Sequence, residues 1–414
     1  MTMLREIEVG SVKFLLDPET NFWAIGERGE VEEFYGERRE GLLEDMKRYR
    51  FEVDIKTAYI NPTEKCNRNC PYCYISPEIR KRGEDMSYER LEEIFTALAE
   101  NGVERVIFHG AEPLLVKGTI FKAMDEFDFS YGIQTNATML DEGDAEFLME
   151  KKASVGISLD SPYRETNDYL RGKGQYDAVM RAFEYFEGYG NLNVIMTVNR
   201  YNYQHLPAMV DFLAGKVGVI LANPVRGTSE GGRELRPPEG FEEYYLEAID
   251  RAIENTKNGR RIVIGDFANV LLGLVAPTSR VLQCDISPCG GGRRFFAVSV
   301  DGIYPCGEFI GMEEFRADLS ALSNWEELMG RFEVVRRRTV ELIDECRECE
   351  FRNLCGAPCP AEIYAESGSM FEKSPYCEFY EKLALKAMEV IAKGEVSSVL
   401  RLERMRKVYE VTSA

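Results

Sequence analysis

Histidine is nearly missing: only His109 and His205 occur in 414 residues. That scarcity nearly excludes a histidine-rich metal centre and a catalytic dyad built on imidazole. Long apolar runs are missing too. The longest candidate, Phe267–Ala276, falls far short of the roughly 20 residues that cross a bilayer. The first ten residues hold two glutamates and no apolar segment of a secretory signal, so a cytoplasmic location is expected. Positive charge is in deficit: 71 acidic side chains against 51 basic ones leave a formal charge of −20. This balance argues against nucleic acid or an anionic membrane as a partner. No internal repeat or low-complexity tract is present.

What the sequence does have is cysteine. There are eleven, an odd number, in a chain without an export signal, which points to metal or redox chemistry rather than a disulfide framework. With 44% hydrophobic and 29% charged residues, the rest reads as a folded chain able to bury a large core.

Residues 1–55 form a preface. Val12–Leu16 and Phe22–Ile25, on either side of a turn-rich Asp17–Asn21, predict a β-hairpin, and Glu37–Tyr49 predicts a charged helix. From Thr57 an alternation begins. Six short apolar strands are predicted at Thr57–Ile60, Val106–His109, Tyr131–Thr135, Ser154–Leu159, Asn193–Val198 and Val217–Leu221. Helical patterns at Tyr88–Ala99, Asp144–Lys151, Tyr176–Phe186 and His205–Ala214 lie among them. Such an alternation implies βαβ crossovers and a parallel sheet, an α/β fold; periodicity alone leaves open whether the sheet is flat or curved. The Gly- and Pro-rich Asn223–Gly240 marks a boundary, followed by helices at Phe241–Thr256 and near Phe267–Val275. Cys284–Cys377 reads as loop-like apart from Trp325–Arg336, and Tyr380–Tyr409 as mostly helical. The expected divisions are 1–55, a barrel or sheet at 56–222, a bridge at 223–283, a cysteine-rich domain at 284–379 and a C-terminal helix at 380–414.

Cys66, Cys70 and Cys73 are spaced C-x₃-C-x₂-C in the loop after the first strand of the alternation. Three thiolates within eight residues can face one centre. A structural zinc normally takes four ligands, and no nearby cysteine or histidine supplies the fourth, although a distant one could. On a four-iron cubane, three thiolates leave one iron open to a small molecule. The second constellation is Cys346, Cys349, Cys355 and Cys359, flanked by Cys284, Cys289, Cys306 and Cys377. By itself its C-x₂-C pair would also suit a zinc ribbon. Eleven, however, divides into three and two fours with none left over.

These motifs resemble the radical SAM family. Tyr72 fills the family's aromatic position before the third cysteine, and Gly110-Ala111-Glu112-Pro113, ending the second strand, resembles its Gly-Gly-Glu-Pro motif with alanine for the second glycine. Gln134-Thr135-Asn136 resembles the ending of its third strand; Ser158, Asp160 and Arg171 resemble positions that contact ribose and carboxylate. The resemblance implies a partial (β/α)6 barrel, a 4Fe–4S cluster on Cys66, Cys70 and Cys73, and S-adenosylmethionine (SAM) contacted by Gly110, Ala111, Glu112, Pro113, Asn136, Ser158 and Arg171. The later cysteines resemble the SPASM extension. They imply auxiliary cluster one on Cys284, Cys289, Cys306 and Cys359, and auxiliary cluster two on Cys346, Cys349, Cys355 and Cys377, making three 4Fe–4S clusters.

The implied chemistry is reductive SAM cleavage to a 5′-deoxyadenosyl radical that abstracts hydrogen from substrate. The Cys306–Gly311 stretch resembles peptide-modifying SPASM maturases. It implies thioether or other cross-link formation in a ribosomally made precursor peptide, with ferredoxin or flavodoxin as electron donor. Residues 1–55 are a candidate peptide-recognition element that would act by strand addition. One departure stands out. Family members that make formylglycine carry an aspartate base directly after the cysteine at position 306, where this chain has Gly307 followed by Glu308. No catalytic acid or base is identified. The alternatives are radical modification of a small molecule or cofactor precursor, and an iron–sulfur protein that only transfers electrons.

Overall fold

The computed structural model describes residues 4–401. It begins with a three-stranded antiparallel sheet of β1 (Arg5–Val9), β2 (Val12–Leu16) and β3 (Trp23–Ala24), in the order β1-β2-β3. The expected hairpin is therefore two strands of three. Strand β1 escapes sequence reading because only Ile7 is buried, between exposed Glu6 and Glu8. A helix that was not expected, Arg28–Gly36, precedes the expected one, which runs Arg39–Phe51. Gly36, a poor helix former, ends the first, and each helix buries only two side chains, so neither carries a strong apolar stripe. This preface docks on distant parts of the chain. Trp23 Nε1 donates to the Leu274 carbonyl at 2.9 Å, and Asn353 Nδ2 donates to the Pro18 carbonyl at 3.0 Å.

The main sheet takes up all six predicted strands in sequence order. They are β4 (Thr57–Ile60), β5 (Arg105–Phe108), β6 (Ser130–Thr135), β7 (Ser154–Ser158), β8 (Leu192–Val198) and β9 (Val219–Pro224), each parallel to the next. Neighbours in space that are neighbours in sequence mean winding in one direction, as in a barrel. The short β10 (Val263–Ile264) extends the sheet beyond β9. At the other edge β11 (Phe295–Ser299) pairs parallel with β4, and β12 (Gly302–Tyr304) pairs antiparallel with β11. The full order is β10-β9-β8-β7-β6-β5-β4-β11-β12, and its two edge strands do not meet, so the barrel is partial.

The cysteine-dense segment, expected to be loop-like, thus supplies two strands to the barrel sheet. All five residues of β11 are buried. A fully buried strand has no alternation to betray it. The expected helix Trp325–Arg336 is broken into Trp325–Arg331 and Glu333–Arg336. The final helix runs Cys377–Ala392, with a short turn at Val396–Val399; the remainder of the expected C-terminal helix, 402–414, lies outside the described residues.

The core forms between the sheet and its helices. Helix Tyr88–Glu100 buries Leu91, Ile94, Phe95 and Leu98, the i, i+3, i+4, i+7 stripe of an amphipathic helix, against the buried β5 residues Val106 and Phe108. Truncating Phe95 or Phe108 to alanine would cost about 3–5 kcal/mol. Among the described residues no helix is long and apolar enough to cross a membrane.

Candidate active site

The loops leaving the C-terminal ends of β4 to β9 meet the later cysteine segment around a cavity of about 420 Å³. Seven of the eleven cysteines line it: Cys66, Cys70 and Cys73 on one side, and Cys284, Cys289, Cys306 and Cys359 on the other. Cys346, Cys349, Cys355 and Cys377 do not. All eleven are free thiols. Among the described residues no three His, Cys, Asp or Glu side chains converge as tightly as a lone metal ion requires; seven of the thiols stand around the cavity instead.

The first loop is tethered by its own aromatic residue. Tyr72 Oη donates to Asp160, which lies just past β7. The same carboxylate receives Arg171 Nε at 2.9 Å, Arg171 Nη2 at 3.0 Å and the Thr197 N–H at 3.0 Å. Asp160 therefore joins the cysteine loop to the ends of β7 and β8. Arg171 lines the cavity, and its guanidinium is engaged by Asp160.

Glu112 is fully buried and accepts hydrogen bonds from Thr135 Oγ1 at 2.6 Å, the Asn136 N–H at 2.8 Å and the Leu114 N–H at 3.2 Å. Burial raises its pKa and these bonds oppose the rise. The glutamate thus locks β5 to β6. At Gly110, φ is +107° and a Cβ would overlap the Asn61 side chain, so the backbone there tolerates only glycine. Gly110, Ala111, Asn136 and Ser158 line the cavity, whereas Pro113 lies behind it and opens a buried helical turn, Pro113–Val116. Asn136 Nδ2 donates to Asn67 Oδ1 of the cysteine loop at 2.9 Å.

The sequence offered no sign of Gln175. Its Nε2 donates to the carbonyls of Ser158 at 2.7 Å and Asn136 at 3.0 Å, holding two strand ends together. His109 also faces the cavity, with Nδ1 3.0 Å from Tyr74 Oη. Burial pushes its pKa down to about 4, so the ring is neutral near pH 7. A Cβ on Gly307 would sit 3.6 Å from His109 Cε1, an ordinary contact. Glu308 accepts a hydrogen bond from Thr228 Oγ1 at 3.3 Å and is pushed up to about 6 by burial, with Arg226 opposing. Asp266, another wall residue, is likewise pushed up to about 6 by burial, against the Ala222 N–H that donates to it at 2.8 Å. Asp266 sits in no motif, and only the fold brings it to the cavity.

Burial pushes every thiol above its ordinary range, Cys66 and Cys346 to about 11 and Cys359 to about 12. The thiol neighbours fall into sets. Cys284, Cys289 and Cys359 act on Cys306, while Cys346, Cys349 and Cys377 act on Cys355. Two buried arginines bear on what these sets could hold. Arg293 donates to the Tyr49 carbonyl at 2.8 Å and to Gln283 Oε1 at 3.1 Å; Arg338 donates to the carbonyls of Ala357 at 2.7 Å and Met370. Neither has a carboxylate within ion-pair distance among the described residues, and burial lowers both pKa values, Arg293 to about 10. A buried guanidinium without a counter-charge is costly. Cys289 lies near both, and Arg338 also feels Cys346, Cys355 and Cys359. An anionic, thiolate-held iron–sulfur group in each set of four would supply the missing negative charge, so the donor chemistry fits such groups.

This set of strand ends, led by a three-cysteine loop, defines a class. Residues 60–213 match the Radical SAM superfamily, so the chain carries a radical SAM domain; its fold is that of the SPASM-type radical SAM maturases. The chain is 79% identical to an uncharacterized protein of Archaeoglobus fulgidus over 99% of both sequences. It is 24% identical to a cysteine-type anaerobic sulfatase-maturating enzyme of Clostridium perfringens, over 77% of this chain and 92% of that one. The structure of native anSMEcpe with bound AdoMet and Cp18Cys peptide matches with a TM-score of 0.68 at 22% identity, covering 82% of this chain and 98% of that one.

Proposed function

We propose that this radical SAM enzyme modifies a ribosomally made peptide by closing a thioether or other cross-link. The observation that carries the reading is the single cavity bordered by both the three-cysteine loop and a second set of four thiols. Its volume lies within the usual range for small-molecule sites. A relative of the same fold holding AdoMet and a peptide together supports a peptide substrate.

In this reading Cys66, Cys70 and Cys73 hold the SAM cluster. Cys284, Cys289, Cys306 and Cys359 hold one auxiliary cluster, and Cys346, Cys349, Cys355 and Cys377 another. When bound, SAM and its cluster supply the hydrogen-abstracting radical. The protein's part is to hold and shield. Gly110, Ala111, Glu112, Asn136 and Ser158 shape the wall against SAM, with Pro113 fixing that wall from behind. Asp160 keeps Arg171 and the cysteine loop in register. The neutral His109–Tyr74 pair and the carboxylates of Glu308 and Asp266 are the polar groups available to a substrate side chain. With four thiols in each later set, no auxiliary site would be left open for a substrate thiolate, and such groups would serve to relay electrons. Gly307 cannot accept a proton, which speaks against formylglycine formation through that position. The preface sheet, with β1 at an edge, is a candidate grip for a leader peptide. The expected setting is the reducing cytoplasm.

The test is anaerobic mass spectrometry of reconstituted enzyme with SAM, reductant and the small peptides encoded beside its gene. Loss of about two mass units per event, matched by 5′-deoxyadenosine, is the expected result. Uncoupled 5′-deoxyadenosine with unchanged peptides would redirect the search toward small molecules. Reconstitution to about twelve irons checks the three-cluster count.

A further inference from the structure

Two guanidiniums stand beside the first cysteine loop, and only one of them has its charge met within the protein. Arg171 is fixed to Asp160 through Nε at 2.9 Å and Nη2 at 3.0 Å. Arg80, in the short helix Pro77–Arg82 that follows Cys73, lines the cavity. Its Nη1 donates to Asn69 Oδ1 at 2.9 Å and to the Arg68 carbonyl at 3.5 Å, which lays the guanidinium along the stretch between Cys66 and Cys70. Its Nε is buried without an acceptor, and among the described residues no carboxylate lies within ion-pair distance of the group.

The other charges nearby are placed elsewhere. On the same helix Arg82 is held by Glu64, while Glu78 and Lys81 are exposed. Arg68, also on the cavity wall, donates through Nη1 to the Lys173 carbonyl at 3.1 Å and bears on Glu112. Glu112 itself acts on Cys66, and Glu308 on the later cysteines Cys306 and Cys359. Burial raises the Cys73 thiol, and Arg80 is the foremost group opposing it, ahead of Arg171. At Cys70, Arg171 and Asp160 act with opposite sign, and Arg80 adds to the positive side. A partly buried guanidinium without a carboxylate is poorly placed in the bare protein. An anionic group on the three neighbouring thiolates would remove that mismatch.

We propose that Arg80 is the counter-charge of the group held by Cys66, Cys70 and Cys73 and sets the reduction potential of that group, acting through it rather than touching SAM or substrate. The inference rests on the radical SAM reading of the loop and names the residue that tunes it. On reduction the group gains one electron from a one-electron reductant, which is oxidised by one; no bond forms or breaks. The group thereby gains one negative charge, so a fixed cation beside it favours the reduced form. Arg171 does not serve in this way, because Asp160 offsets its charge at the same thiol. Arg80 is thus a positioning residue for electron entry.

The test uses the reconstituted full chain, titrated with titanium(III) citrate and followed by electron paramagnetic resonance. The signal that changes when SAM is added marks the group on the three cysteines. Arg80→Gln removes the charge, and Arg80→Lys keeps it. In Arg80→Gln the midpoint of that signal, measured before SAM is added, should fall by a tenfold change in the one-electron equilibrium, about 59 mV. Arg80→Lys should stay near wild type, and the signals that do not respond to SAM should hold their midpoints in both variants. Loss of iron from the first group in Arg80→Gln, with retention in Arg80→Lys, would also support the proposal, since only the charge separates the two. An unshifted midpoint in Arg80→Gln would overturn it. So would an equal fall or an equal loss of iron in both variants, which would make Arg80 a tether of the loop. Weaker SAM binding with an unshifted midpoint would make it a SAM contact and overturn the proposal as well. A wild-type protein without any SAM-responsive signal would instead refute the radical SAM reading underneath, and the proposal with it.

Discussion

The three-cysteine loop and the outer four-cysteine group are both clusters of buried thiols, yet the protein frames them differently. The first sits at strand ends of the parallel sheet and is held by buried charge: Asp160 binds Tyr72, Arg171 and the Thr197 N–H in a pocket without solvent. The outer group sits on short turns and one helix start, Cys377, and is buttressed by the N-terminal preface through Asn353 and the Pro18 carbonyl. Between the two lies the inner set of four, and Arg338 spans the gap from Cys289 and Cys359 to Cys346 and Cys355. The difference suggests a division of labour: rigid geometry where chemistry starts, and electrostatic continuity where electrons pass.

The sharpest way to break this division is by substitution at each end. Cys70→Ala should abolish SAM cleavage, a loss of at least about 10³-fold in 5′-deoxyadenosine formation. Cys349→Ala should keep cleavage within about tenfold of wild type while peptide modification stops. Chromatography for 5′-deoxyadenosine and mass spectrometry of the peptide separate the two. Equal loss of cleavage in both variants would erase the distinction.

Next in size is the charge lock of the first region. Asp160→Ala leaves Arg171 buried without its partner and frees Tyr72, which should destabilise the fold by about 3–5 kcal/mol in anaerobic denaturant titration. An effect below about 1 kcal/mol would mean that the cysteine loop is held by its bound group rather than by the protein.

The electrostatic link gives a smaller but more selective test. Removing the Arg338 charge as Arg338→Gln should lower the reduction potentials of the groups in both sets of four, because the reduced form carries more negative charge. A shift of about 60 mV corresponds to about 1.4 kcal/mol for one electron. Arg293 feels Cys289 only, so Arg293→Gln should shift the inner set alone. Potentiometry followed by electron paramagnetic resonance distinguishes the outcomes.

Much of this was legible in the sequence because it is local. The six parallel strands follow from short apolar runs between amphipathic helices, and the first cysteine loop and Gly110-Ala111-Glu112-Pro113 are contiguous motifs placed right after strands β4 and β5. What could not be read is non-local. Strand β11 joins β4 across more than two hundred residues, and its five buried positions look like any apolar patch. Gln175 and Asp266 become site residues only when the fold brings them to the cavity, and a lone polar residue has no spacing to announce it. Arg293 and Arg338 carry no mark in the sequence that sets them apart from the other basic side chains, 51 in all; only the fold shows them buried.

The smallest expected effect is on the cavity wall, where it asks whether the inner region tolerates charge for function at a cost to stability. Burial raises the folded-state pKa of Asp266 from an ordinary 3.8 to about 6, and the Ala222 N–H only partly opposes it. The unfolded chain ionises near the ordinary value. As pH rises from about 4 to about 6 the unfolded state releases its proton first, so the folded state loses stability, and the loss is complete above the folded pKa. The carboxamide introduced by Asp266→Asn cannot ionise and can still accept from the Ala222 N–H. The variant should therefore match wild type near pH 4 and exceed it at pH 7 by about 1–2 kcal/mol, water in the cavity screening part of the charge. If peptide turnover falls in the variant while stability rises, the carboxylate is retained for its contact with substrate. A stability difference that does not change with pH would show that the carboxylate is hydrated in the folded protein, and that the inner wall bears no more electrostatic strain than the outer one.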